Sequence, residues 1–431
     1  MDYLNILPQE AFISHRQRLV AQLPAGSLAV FHSSDVFFGS ADSEAGFIQQ
    51  TDLYYLSGID QEESILLIFP EARNPKHREI LFLKETSEEI LIWEGYKLTQ
   101  EEAREVSGIE TVMWTSQFEK IFRNLAIEAQ TMMLNTNEHL RYSGTTQTRD
   151  QRFIAYCKEK FPLHNYGRLQ PILHRIRAVK DQWEINCISQ ACLITENAFK
   201  RVLKFVAPGV KENQIEAEIT HEFIASGSRR HAYTPIVASG SNACVLHYTD
   251  NHRVCNAGDL LLLDFGAQYA NYASDLSRTI PVSGTFSARQ KQVYQAVLDT
   301  MRYASTLLVV GNTLDEYEKE VGRFIQEKLI ELALLSAEEV RHQDPEKPLY
   351  KKYFMHGTSH HLGLNVHDYG HRHQPFEAGM VFTCEPGIYI RQEGMGIRLE
   401  NDFVITDSQP IDLMKNIPIE IWEIEEYMAK A

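Results

Sequence analysis

The chain has no surplus of basic charge: 42 Lys and Arg stand against 58 Asp and Glu, a formal net charge of −16. Nucleic acid and anionic membrane surfaces attract the opposite sign, so neither is expected as a partner. No apolar run approaches the ~18 residues of a membrane-spanning helix. The amino-terminal MDYLNILPQEAF lacks a basic region followed by an apolar core, and a soluble cytoplasmic protein is expected. Cysteine is sparse, at positions 157, 187, 192, 244, 255 and 384. Without a CxxC pair or a disulfide-framework spacing, these read as reduced thiols. What remains is an ordinary globular composition, 44% hydrophobic and 23% charged over 431 residues, long enough for two or three domains and a large core.

Residues 1–172 read as a mixed α/β domain without a chemical spacing of its own, hence an accessory or oligomerising domain. Strands are expected at Ser27–His32, Ser64–Phe69, Glu79–Leu83, Glu89–Trp93 and Thr131–Leu134, with a helix over Gln117–Ala129. The polar segment Arg141–Asp150 reads as a loop. A second domain, 173–431, opens on an amphipathic helix that Asp181 and Glu184 begin as a capping box and Pro208-Gly209 ends. A helix over Lys211–Ala225 follows. Strands are then expected at Pro235–Ala238 and onward through His247, at Leu260–Phe265 and at Tyr272–Val282. Helices over Ala288–Val309, capped by Ser287, and over Leu314–Leu335 precede strands at Met380–Ile390 and Gly396–Thr406. Two helices followed by paired strands thus occur once before residue 286 and once after it, a repeat of element order without a clear residue-level repeat.

Each pair of strands carries two acids. Asp264, Asp275, Glu385 and Glu400 interrupt otherwise apolar, strand-like runs. A buried carboxylate without a partner costs roughly several kcal/mol or gives up its charge. Four in the best core candidates need a positive counterpart, and the nearby basic residues are too few and too scattered to provide it. Asp264 and Asp275 flank a turn near Gln268–Asn271, which brings them to one face of a bent strand pair. His356, His360, His361 and His367 crowd one Gly-rich stretch upstream of the two glutamates. Their spacing is not HExxH, and GTSHHLG does not fit a G-x-S-x-G nucleophile turn, so neither a single-zinc helix site nor Ser359 as nucleophile is expected. Four carboxylates with one imidazole form a hard, oxygen-rich set that favours Mn2+ over structural zinc. Two divalent ions balance four charges and can activate a water for hydrolysis of an amide or ester. A two-metal phosphatase is the alternative, but no Lys/Arg cluster is arranged for a phosphoryl group.

These stretches resemble the pita-bread metallopeptidases, a family that includes methionine aminopeptidase, prolidase and, most similar here, Xaa-Pro aminopeptidase (aminopeptidase P). The resemblance lies in SGSNACVLHYTDN from Ser239, DFG from Asp264, SDLSRTIPV from Ser274, HGTSHHLGLNVHD from His356, CEPGIYI from Cys384 and GIRLEND from Gly396. It extends to FIQQTDLYYLSGI from Phe47, IWEGYKLT from Ile92 and RAVKDQWEI from Arg177. It implies an α/β amino-terminal domain plus an α+β pita-bread (creatinase/aminopeptidase-like) catalytic domain, and an exopeptidase that removes the residue before a proline in second position.

By the same resemblance Asp264, Asp275, His360, Glu385 and Glu400 hold two divalent ions, Mn2+ first and Co2+ or Zn2+ as alternatives, with Asp275 and Glu400 bridging. A hydroxide between the metals attacks the carbonyl before proline, and Glu385 assists its proton transfer. His247 and His367 line the substrate site, His356 lies beside it, and Tyr389 and Arg398 orient the ligands. A homodimer or homotetramer is implied. The chain departs from the family at His361, where an aromatic is usual, at Asn365, where Asp is common, at Ile48, where Arg is often seen, and in a short Tyr389–Gly396 segment. Prolidase, an Xaa-Pro dipeptidase, is the alternative activity. A non-catalytic peptide-binding module is the remote one, disfavoured because all five ligand positions are intact.

Overall fold

The structure is a computed structural model describing residues 7–430. The chain divides into two compact units between Arg177 and Ala178. The helix Gln170–Ala178 contains both this division and the 172/173 boundary read from the sequence.

The amino-terminal unit is built on a six-stranded mixed sheet. Its order is Val112–Trp114, Glu79–Leu83, Ile65–Ile68, Ser27–His32, Thr131–Leu134, Asn165–Arg168. Ser27–His32 is buried along its whole length, antiparallel to Ile65–Ile68 on one side and parallel to Thr131–Leu134 on the other. A continuous apolar run suits such a central strand, because both its faces are covered. The helix Phe118–Glu128 packs Phe122, Leu125 and Ala126 onto this sheet. One expectation fails: Glu89–Trp93 is not a strand but part of the helix Glu88–Glu94. Ser87 caps it by accepting the Ile90 N–H at 3.1 Å, and Glu88 and Glu89 sit in its first turn. Cap and macrodipole both favour helix there. The helix Arg149–Lys160 and the strand Asn165–Arg168 were not anticipated.

In the carboxy-terminal unit, helices Gln182–Phe205 and Glu212–Ala225 pack together, as do Ala288–Thr306 and Leu314–Glu331. The Asp181–Glu184 capping box forms, with reciprocal 3.0 Å bonds. Each helix pair is followed by a three-stranded sheet. The first contains Leu276–Pro281, Leu260–Phe265 and Ile236–Ser239; the second contains Val381–Cys384, Asn401–Val404 and Ile411–Asp412. The repeated order read from the sequence is therefore a repeated architecture.

Four long strand expectations are broken in the structure, and three of the breaks lie beside carboxylates; Gly396–Thr406 divides at Leu399-Glu400. Tyr272–Val282 splits at Ser274-Asp275, where the Asp275 N–H leaves the ladder and donates to Asp402 Oδ2 at 3.0 Å. Met380–Ile390 splits at Glu385-Pro386, as a residue without an N–H requires. The stretch from Pro235 through His247 is a strand only over Ile236–Ser239; a 3-10 helix over Gly240–Cys244 and a turn replace the rest. The expected turn after Asp264 is present, with Ala270 and Asn271 at φ 50 and 63 as in a tight hairpin. Gly266 permits the bend before it: a Cβ there would lie 1.8 Å from the Ser274 carbonyl oxygen.

Candidate metal centre

The two strand pairs place their acids at equivalent positions. Asp264 is the penultimate residue of its strand, opposite Ser277, and Asp275 directly precedes the partner strand. Glu385 directly follows Val381–Cys384 and Glu400 directly precedes Asn401–Val404, whose ends pair as Cys384 with Asn401. Each pair of acids therefore sits at one end of an antiparallel ladder, where neighbouring backbones hold the side chains close.

The halves meet through short contacts. His360 Nε2 lies 3.4 Å from Asp275 Oδ2 and 3.7 Å from Glu385 Oε1. Ligand atoms of Asp275, His360 and Glu400 all lie within 4.8 Å of one another. The Tyr233 hydroxyl contacts both Asp264 and Asp275. Arg398 pairs with Asp264 through its guanidinium and donates from Nε to Ser277 Oγ at 2.8 Å; Ser277 Oγ donates to Glu400 Oε2 at 2.7 Å. One basic side chain, Arg398, thus reaches the acids, in keeping with the expectation that the basic residues nearby are too few to balance them. It is a single guanidinium among four carboxylates.

The electrostatics record that imbalance. Burial pushes the Glu385 carboxyl up to about 7, and His360 and Arg398 only partly oppose it. Burial and the neighbouring Asp275, Glu385 and Asp264 drive Glu400 well above the carboxylate range, and its Oε1 has no hydrogen-bond partner. Burial works against charge on His360, but the Asp275 hydrogen bond and Glu385 lift it to about 9. Asp264 is likewise raised, by burial and by Asp275, against the pull of Arg398. An orphaned buried carboxylate oxygen is costly, roughly 1–3 kcal/mol or more. A divalent cation would satisfy that oxygen and the neighbouring carboxylates together. His360 Nδ1 faces the His361 carbonyl at 3.0 Å, which leaves Nε2 to the acids, as a metal-binding imidazole requires. The donor set fits divalent cations.

The other histidines take different stations. His356 stays neutral, pushed down to about 3 by burial and by Arg398; its Nδ1 meets the Gly357 carbonyl at 2.7 Å and its Nε2 the Tyr389 hydroxyl at 2.8 Å. Tyr389 also accepts from Arg398 at 2.9 Å. His367 stands edge-on to His360, ring centres 4.4 Å apart. His247 is exposed, close enough to His356 for its charge to act on that ring. His361 is turned away from the acids: it is buried against Phe382 at 4.2 Å and held neutral at about 3 by that burial, so it fills the core as an aromatic would. Asn365 braces the same turn, donating to Asp368 at 3.2 Å, while Ile48 is exposed in the other unit.

Sequence reasoning overlooked Tyr233, Ser277 and Asp402. Ser277 had a signal: it is two residues from Asp275, just as Arg398 is two from Glu400, and such spacing shares a strand face. Asp402 shared that signal, two residues beyond Glu400, whereas Tyr233 approaches through tertiary packing and carries no spacing signal.

The profile of metallopeptidase family M24 matches residues 186–407, and that of the aminopeptidase P N-terminal domain matches residues 12–134. The chain belongs to metallopeptidase family M24. An Xaa-Pro aminopeptidase of Escherichia coli is 32% identical, with 99% of both chains covered. Xaa-Pro aminopeptidase 3 of Homo sapiens is 28% identical over 93% of this chain and 80% of its own. Among solved structures, zinc-substituted aminopeptidase P of E. coli in complex with product superposes with a TM-score of 0.90 at 31% identity, covering 98% of this chain and 99% of that one. Pseudomonas aeruginosa aminopeptidase PepP gives 0.89 at 28%, with 98% of each covered. The paired half-sheets described above are the M24 pita-bread fold, and the aminopeptidase P amino-terminal domain precedes it.

Proposed function

We propose that this M24 enzyme is an Xaa-Pro aminopeptidase, a metal-dependent hydrolase that removes the amino-terminal residue from peptides with proline second. The observation that carries the reading is the meeting of four carboxylates and His360 with one guanidinium and an orphaned Glu400 oxygen. The names of the full-length relatives support the substrate class.

Asp264, Asp275, His360, Glu385 and Glu400 would hold two divalent ions. Bound there, the ions supply charge balance, an activated water and polarisation of the scissile carbonyl. We favour Mn2+ because oxygen donors outnumber nitrogen. Glu385 moves a proton to and from the reacting water at its carboxylate. Arg398 and Tyr389 hold Asp264 and His356 in place, and Ser277 passes the constraint to Glu400. Neutral His356 stands beside Glu385 at 3.7 Å. His247 and His367 donate to substrate oxygens and steady the charge that develops on them. A bond to proline nitrogen lacks an N–H and has fixed φ, so a dedicated site must accept the ring by shape.

We assign 1–172 as an accessory, oligomerising domain and 173–431 as the catalytic domain, in a cytoplasmic homodimer or homotetramer. Large exposed apolar side chains in the amino-terminal unit, among them Phe38, Ile92 and Trp93, support association. Six free cysteines support a reducing compartment. Among the described residues, no helix is long and apolar enough to cross a membrane.

The test compares an Xaa-Pro-Yaa tripeptide with the Xaa-Pro dipeptide, before chelation, after it, and after Mn2+ is restored. Metal-dependent cleavage of the tripeptide is expected. Strong preference for the dipeptide would replace this reading with prolidase, and absence of any cleavage after Mn2+ loading would favour a binding module. Sedimentation analysis measures the subunit number.

A further inference from the structure

Glu212 lies in the first turn of Glu212–Ala225, is fully buried, and faces no cation directly. Its carboxylate accepts five hydrogen bonds. Oε1 takes the Ser239 N–H and hydroxyl, each at 2.7 Å, and Asn242 Nδ2 at 3.2 Å. Oε2 takes the Tyr248 hydroxyl at 2.8 Å and the Arg253 N–H at 2.9 Å. The Glu212 N–H in turn donates to the Arg253 carbonyl at 2.9 Å. The Arg253 guanidinium is used elsewhere, on the Ser239 carbonyl at 3.0 Å and on Asp259 at 3.3 Å.

Those donors come from the beginning, middle and end of one excursion of the chain, 239–253. His247 is on it, exposed, next to Tyr248. The Tyr248 ring packs in a cluster that includes Tyr389, the partner of His356. One charged acceptor therefore closes the loop at both ends and fixes the residue beside His247. An irregular loop has no ladder of its own to hold a side chain in place, whereas bonds to an ionised acceptor are about twice as strong as neutral ones.

We infer that Glu212 is a positioning residue that sets His247 at the substrate mouth by closing the loop 239–253 on its carboxylate. This rests on the reading of His247 as a substrate-lining group. In either orientation the amide of Glu212→Gln turns its NH2 toward a fixed backbone donor, the Ser239 N–H or the Arg253 N–H, that meets a carboxylate oxygen in the wild type.

The test uses the full Mn2+-loaded chain and an Ala-Pro-Gly tripeptide. The variants are E212Q, Y248F, H247A and the double variant E212Q/H247A. Measured for each are kcat and KM, bound Mn2+ per chain, and amide exchange across the carboxy-terminal unit. E212Q should lose at least about tenfold in kcat/KM, the scale of a misplaced catalytic group, with Mn2+ content unchanged and faster exchange confined to 239–253. Its kcat-to-KM pattern should match that of H247A. The double variant should fall within about twofold of the worse single variant. Y248F removes one donor, should fold where E212Q does not, and should show the same pattern more weakly. Multiplied losses in the double variant overturn the inference and leave the role of His247 intact, as does wild-type activity in E212Q. Loss of Mn2+ or faster exchange throughout the unit in both E212Q and Y248F shows a merely structural carboxylate and also overturns it. Full activity in H247A removes the reading of His247 and the inference with it.

Discussion

The Tyr389 hydroxyl and His356 Nε2 are 2.8 Å apart, and the direction of that bond is set on both sides. His356 commits Nδ1–H to the Gly357 carbonyl, and Arg398 donates to the phenol oxygen. Tyr389 must therefore give its proton to a neutral imidazole. Burial raises the phenol to about 12, which keeps that proton in place.

Tyr389→Phe should leave His356 Nε2 and one Arg398 N–H unpaired. A net loss of about 1–3 kcal/mol is expected from an unmade buried bond, read as a fall in kcat/KM of about tenfold or more. Bound metal should be retained, because Asp264 keeps its contact with Arg398.

Asp275→Asn removes one negative charge from between Tyr233 and His360. Activity should fall at least ~10²-fold, on the scale of losing charge stabilisation in the transition state, and metal content should fall with it. Retained activity with full metal content would show that Asp275 is not a metal ligand.

In the amino-terminal unit, Asp52 is fully buried and paired with Arg177 at 2.6 Å, with Asn135 and Gln170 each donating at 2.9 Å. Burial alone would raise this carboxyl, yet Arg177 and the amides hold it below its ordinary value. Arg177→Met strands the charge and should cost about 3–5 kcal/mol of stability by denaturant titration. Asp52→Asn strands the buried Arg177 guanidinium in turn and should cost a similar amount in the same measurement.

His32 is buried beside Asp150 at 3.1 Å, and its imidazole is depressed by that burial more than the carboxylate raises it. The unfolded chain takes up a proton near pH 6.5 that the folded one resists. The contribution of His32 to stability is thus fully present above that pH and is lost as pH falls below it. His32→Gln should reduce this slope, by up to about 1.4 kcal/mol per pH unit for one proton. Urea midpoints of both proteins between pH 7 and 5 measure it.

Much of the fold was readable in advance where local signals agreed. The Asp181–Glu184 and Ser287–Gln290 capping boxes begin the helices the sequence placed after them. The buried strands Ser27–His32 and Leu260–Phe265 lie where continuous apolar runs put them. Glu89–Trp93 misled because an apolar tetrapeptide does not distinguish strand from helix, and only Ser87 and the acidic first turn decide it.

By itself the sequence determined that four acids and a histidine occupy apolar surroundings, because hydrophobic runs interrupted by charge are legible without coordinates. Which oxygens share a proton donor, which imidazole nitrogen faces the acids, and which histidine merely fills the core were decided only by tertiary structure. Tyr233, Ser277 and Arg398 reach Asp264, Asp275 and Glu400 across separations of up to 134 residues, and His361 and His360, adjacent in the chain, end in opposite roles. Spacing along a chain carries the alternation of faces within one element; the direction of a hydrogen bond between elements exists only once they are packed.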